Sequence, residues 1–192
     1  MPLKFAFVVG CFVIAGGSFF FCKQKRDWAW LVLGFMFTVG ADYFLVVRNL
    51  HLPGVAVFCF AHMCYILRAV GSPSVTASRT KPRYKVLLFC VLIASIFVVF
   101  INGWLIVLSG IYAALFITNI AVNFNFQKIN RPLVLTGLIL FALCDINVAL
   151  LNLPRHFDIN LTFPWTFRLI WVFYLPSQLL LAVSATRLKR LI

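Results

Sequence analysis

Seven stretches of this chain are apolar for long enough to cross a bilayer, or nearly so, and this limits its fold more than any other feature. They run over 5–22, 28–47, 54–70, 86–101, 104–122, 133–151 and 164–185. A membrane-spanning helix needs about 20 mostly apolar residues. Seven would take up about 140 residues, so a chain of 192 residues keeps only loops besides. The expected fold is all-α: one polytopic transmembrane helix bundle over 1–192, with seven spans, eight being the alternative count. The breaks are chemically distinct. Lys23 to Asp27, Arg48 to Pro53, the Ser-, Pro- and base-rich Gly71 to Lys85, the Asn102-Gly103 turn, Asn123 to Pro132, and Asn152 to Phe163 separate the spans.

Charge sets the expected orientation. The chain has 17 Lys and Arg but only four acidic residues, for a net charge of +13. Such a balance is one mark of nucleic-acid binders, but no RNA- or DNA-binding pattern accompanies it, and none is expected as a partner. The bases instead sort by loop. Lys23, Lys25, Arg26, Arg68, Arg79, Lys81, Arg83, Lys85, Lys128, Arg131, Arg187, Lys189 and Arg190 fall on one side; only Lys4, Arg48, Arg155 and Arg168 fall on the other. The positive-inside rule then predicts an outside N-terminus and an inside C-terminus. Trp28, Trp30, Trp104 and Trp165 lie near span ends, where interfacial anchors belong. Only Lys4 precedes the first span and no small-residue cleavage site follows it, so it reads as a retained anchor rather than a signal peptide.

Ionisable groups inside spans are expensive and are functional candidates by default. Three stand out: Asp42, His62 and Asp145. Tyr65, Tyr112, Tyr174, Asn119, Asn147 and Gln178 add hydrogen-bonding groups. Their depths can be counted at 1.5 Å per residue. Asp42 lies about 9 Å below the predicted outer end of its span, Asp145 about 10 Å, His62 about 12 Å and Tyr174 about 15 Å. Four polar groups on four spans thus share one layer in the predicted outer half, the pattern of a common water-reachable pocket. His62 and Tyr65, Thr38 and Asp42, and Tyr174 and Gln178 are same-face neighbours. Pro176 removes its own N–H beside Tyr174 and frees the Val172 carbonyl, an opening that suits a cavity wall. Arg168, near the start of the last span, is placed either to snorkel outward or to meet a lipid phosphate.

Two carboxyl groups facing one pocket form an acid/base pair. One can give a proton while the other activates water or stabilises a cation, the logic of glycoside hydrolysis. Substrates of a pocket inside a bilayer are lipids or other hydrophobic molecules. Other chemistries fit less well. The last span has no lysine for a retinal Schiff base, and no G-x-S-x-G elbow is present. The six cysteines form no C-x-x-C and read as packing residues. His51 and His156 fall in predicted outer loops, so no metal ligand set is assigned.

Three stretches carry a family resemblance. Gly40-Ala-Asp42-Tyr-Phe-Leu45, followed by Leu52-Pro-Gly54, Phe58, Ala61-His62 and Tyr65, forms the first. Gly137 through Leu140-Phe141-Ala-Leu-Cys144-Asp145 is the second, and Phe173-Tyr174-Leu-Pro-Ser-Gln178-Leu-Leu the third. In order and spacing they resemble the YhhN family of integral membrane proteins, which includes lysoplasmalogenases. Ala41 and Cys144 stand where that family often has Gly and Ser, and its members are usually drawn with eight spans. The resemblance implies hydrolysis of the vinyl-ether bond of a lysoplasmalogen to a fatty aldehyde and a glycerophospho-base. It implies Asp42 and Asp145 as the catalytic pair, with His62, Tyr65, Tyr174 and Gln178 at the accompanying polar positions; Arg168 joins them here as a candidate headgroup contact. The expected partners are a vinyl-ether lysophospholipid and membrane lipids, with no metal or organic cofactor, at a multi-pass site in a bacterial inner membrane. The alternative is a non-catalytic lipid-binding or transport protein using the same pocket.

Overall fold

The structure, a computed structural model, describes residues 2–22, 24–71, 104–125, 130–157 and 164–186. Among these residues lie six long helices and no strand. They are α1 Pro2–Gly17, α2 Lys25–Asp42, α3 His51–Val70, α4 Trp104–Asn125, α5 Arg131–Phe157 and α6 Thr166–Val183. All six are long and apolar enough to cross a membrane. The predicted fourth span, 86–101, lies outside the described residues.

Helix ends depart from the expected ones for local reasons. The segment up to Pro53, read as a break, is helical from His51. Proline is tolerated in a first turn because its missing N–H would have no intrahelical acceptor there. The helix of the sixth predicted span continues past Asn152 to Phe157, so His156 belongs to helix rather than loop. At the end of α2, regular α-helix stops at Asp42 and the next residues, Tyr43–Val47, wind as a π turn. Arg48 N–H then reaches back to the Tyr43 carbonyl at 3.0 Å, and Asn49 takes a left-handed φ of 54°. Asparagine accepts that conformation more readily than most residues. Helix α6 runs unbroken through Pro176. Beside it, the Ser177 hydroxyl donates to the Tyr174 carbonyl at 2.7 Å.

The helices pack in chain order. Each touches the next, and α1 also packs on α6, so the sequence of neighbours closes into a ring. Large apolar side chains such as Phe20, Met36, Phe60, Ile117, Ile139 and Val172 face outward, as expected where the surrounding solvent is lipid. Small residues set the close approaches inside. A side chain at Gly34 would run into the ring of Tyr65, and one at Gly137 would lie 3.1 Å from Leu181. Glycine at such points lets neighbouring helices meet closely, the usual membrane-bundle solution.

One end of the ring is tied by charge. Arg68, counted among the inner bases by the topology argument, is buried at the end of α3. It pairs with Asp27 of α2 at 2.9 Å and donates to Ser184 Oγ, just beyond α6, at 2.7 Å. Asn130, just before α5, donates to the Ser184 carbonyl at 2.9 Å. Thus the ends of α2, α3, α5 and α6 are fastened together at a single point.

Candidate functional site

Asp42 is the last residue of regular helix in α2 and is buried. Tyr174 of α6 donates its hydroxyl to Asp42 Oδ2 at 2.5 Å, reaching across the ring from a helix 132 positions later in the chain. Asp145 of α5 has the same kind of partner: Tyr112 of α4 donates to its Oδ2 at 2.6 Å. Each carboxyl group therefore carries one phenol.

Between the two pairs lies a cluster of aromatic rings. Phe141 contacts Tyr174 at 5.4 Å between ring centroids and Phe116 at 5.4 Å. His62 of α3 sits within the cluster, 5.0 Å from Tyr112, 4.7 Å from Phe116 and 5.6 Å from Phe141. It is fully buried. Its Nδ1 lies 3.2 Å from Asn119 Nδ2 on α4. Aromatic faces carry negative potential and stabilise nearby cations. The arrangement therefore offers two carboxyl groups, two phenols and a wall suited to a cationic intermediate.

The remaining expected residues are placed differently. Tyr65 turns toward α2. Thr38 gives its own proton to the Gly34 carbonyl at 3.0 Å, so the Tyr65 hydroxyl is the donor in its 3.2 Å contact with Thr38 Oγ1. Gln178 is fully buried one turn beyond Tyr174, 3.5 Å from Ser177 Oγ. Arg168 is exposed in the first turn of α6 and is not brought to the carboxyl pair. A cavity of about 10 Å³, lined by Tyr65, Arg68, Asn119, Asn123, Val134, Leu138 and Leu181, adjoins the cluster on its Arg68 side; that is room for about one water molecule. Among the described residues, no group of three or more His, Cys or Asp side chains is arranged to hold a metal ion.

The model of the YhhN family matches residues 3–185, nearly the whole chain. The chain belongs to the YhhN family. With six apolar helices described, this YhhN protein is an integral membrane protein. Comparison with curated proteins and with solved structures finds no match. Against the motifs that carried the resemblance, two partners went unread. Tyr112 and Asn119, which the sequence marks only as intramembrane hydrogen-bonding groups, hold Asp145 and His62 respectively. Tyr112 precedes Asn119 by two turns of one helix, a spacing that leaves both on roughly one face.

Proposed function

We propose that this YhhN protein is an intramembrane hydrolase that cleaves the vinyl-ether bond of one-chain lysophospholipids, releasing a fatty aldehyde and a glycerophospho-base. The observation that carries the reading is the pair of carboxyl–tyrosine contacts, Asp42 with Tyr174 and Asp145 with Tyr112, flanking one aromatic cluster. One Asp, in its acid form, gives its proton to the β-carbon of the vinyl ether, whose π electrons form the new C–H bond. The α-carbon becomes an oxocarbenium ion, stabilised by the second carboxylate and by the aromatic faces. Water adds to that carbon and its proton passes to a carboxylate, leaving a hemiacetal. The C–O bond to glycerol then breaks: the glycerol oxygen takes up a proton, the hemiacetal hydroxyl loses one, and the aldehyde leaves. The sum is one water consumed and no net proton. His62 serves as the orienting group beside the reacting bond, Tyr65 and Gln178 support the surrounding helices through Thr38 of α2 and Ser177 of α6, and Arg168, exposed on α6, serves as a headgroup contact at the membrane surface.

The test is aldehyde release from a purified protein given a vinyl-ether lysophospholipid, with ordinary ester lysolipids in parallel. Asp42→Asn and Asp145→Asn are each expected to lower the rate by about 10²–10⁴-fold, the usual contribution of a general acid or base. Full activity in both folded variants would sink the acid/base role. Substrate that binds but stays intact on prolonged incubation with the wild-type protein would favour the rival lipid-binding or transport reading.

A further inference from the structure

His62 Nε2 is buried and has no hydrogen-bond partner among the described residues. The surrounding bonds determine what that atom is. Asn123 Nδ2 donates to the backbone carbonyl of Asn119 at 2.9 Å, which orients the Asn123 amide. The same nitrogen donates to Asn119 Oδ1 at 2.8 Å, so Asn119 turns its NH₂ toward His62. An amide NH₂ can only donate, so His62 Nδ1 accepts, and in a neutral imidazole the proton then sits on Nε2. Two asparagines on α4 therefore present His62 Nε2–H as a donor inside the aromatic cluster. A buried N–H without an acceptor is destabilising on its own, so an acceptor oxygen brought to this point by a bound molecule would be held there.

Resting on the vinyl-ether reading above, we infer that His62 Nε2–H binds the free hydroxyl on the middle glycerol carbon of the one-chain lipid, with Asn119 and Asn123 as positioning residues that fix its tautomer. Three kinds of oxygen in such a lipid could accept this bond, namely the ether, the hydroxyl and the phosphate, and chemistry separates them. A bond donated to the vinyl-ether oxygen would draw electron density from the carbon that must be protonated and would oppose the oxocarbenium ion. A phosphate placed there would be a buried anion among Tyr65, Tyr112, Phe116 and Phe141, with Asp42 and Asp145 nearby and no cation among those ring neighbours. Burying an unpaired charge in this way is strongly unfavourable. The hydroxyl is neutral, accepts one bond readily, and lies only two carbons along from the ether oxygen. His62 then sets the register of the glycerol backbone while the aspartates act on the neighbouring vinyl group.

The test uses the full chain in lipid nanodiscs and two lipids: a vinyl-ether lysophospholipid, and its deoxy analogue lacking the middle hydroxyl. Binding and aldehyde release are measured separately. The wild-type protein is expected to bind the hydroxylated lipid about five- to tenfold more tightly, the share of one neutral hydrogen bond, with the difference in KM rather than kcat. His62→Phe removes the preference, His62→Gln restores part of it by keeping an N–H donor near the same point, and Asn119→Leu weakens it. Equal wild-type binding of both lipids overturns the inference whether or not aldehyde forms. So does a full preference in His62→Phe, which would mean that the N–H faces only an aromatic ring. Absence of aldehyde from a protein that still prefers the hydroxyl sinks the hydrolytic reading and leaves the hydroxyl contact standing.

Discussion

The hydroxyl of Tyr112 lies 2.6 Å from Asp145 Oδ2, and this pairing repeats on the far side of Phe141, where Tyr174 meets Asp42. Two carboxyl groups in one apolar bundle thus have chemically matched partners from different helices. Their partners differ in setting: Tyr174 adjoins Phe141 and Trp171, whereas Tyr112 stacks on Phe116 and adjoins His62.

Removing either phenol isolates the role of the pairing. Tyr174→Phe and Tyr112→Phe keep the ring packing and delete one hydroxyl each. Aldehyde release is expected to fall about tenfold or more in each, since hydrogen bonds to charged groups are the stronger kind. Unchanged rates in both variants would show that the carboxyl groups act without their tyrosines.

The charged tie at the other end of the bundle is a matter of stability, not of chemistry at the carboxyl pair. Asp27→Ala leaves Arg68 buried without its carboxylate, and breaking such a pair costs about 3–5 kcal/mol. Thermal unfolding in detergent should show a clear drop in Tm. The Asp27→Ala/Arg68→Leu double variant should recover much of it; a double variant no more stable than the single would contradict the assignment.

Gly34 is expected to resist even a methyl group. Its Cβ would enter the Tyr65 ring, and overpacking of this kind costs about 1–3 kcal/mol. Gly34→Ala should lower Tm, while Gly34→Ala combined with Tyr65→Ala should unfold no earlier than Tyr65→Ala alone. Equal Tm for Gly34→Ala and the wild-type protein would mean that α2 and α3 can separate at little cost.

The charge-sorted topology is open to direct measurement. Leu50 and Lys25 are exposed at opposite ends of α2 and the π turn that extends it. In intact cells a membrane-impermeant thiol reagent should label Leu50→Cys, and should reach Lys25→Cys only after the membrane is opened. The reverse pattern would invert the orientation.

Depth was legible in the sequence, and direction around each helix was not. Rise per residue is fixed, so counting from the span ends put Asp42 and Tyr174 in one layer, and the structure brings them into contact. Choosing partners needs the azimuth of each side chain. In a soluble helix an apolar stripe reveals it, but here the lipid-facing side is apolar as well, and the stripe dissolves into the background. For that reason the partners of Asp145 and His62 were missed, although Tyr112 and Asn119 were in view. Arg68 was missed differently: counted as a topological charge, it is buried against Asp27. Arg168, equally ambiguous on paper, is exposed at the start of α6.

The ring of helices also has a consequence for how the protein is made. Asp42 and Tyr174 are 132 residues apart. At ribosomal speeds that gap corresponds to a delay on the order of ten seconds. A carboxyl group is thus delivered to the membrane well before the helix that receives it exists. Until α6 arrives, Asp42 has to be sheltered by water, by earlier helices or by the insertion machinery. Biogenesis should therefore be most fragile at its last step. A chain halted before Tyr174 would hold an unpaired acid within its bundle and present quality-control proteases with a ready target.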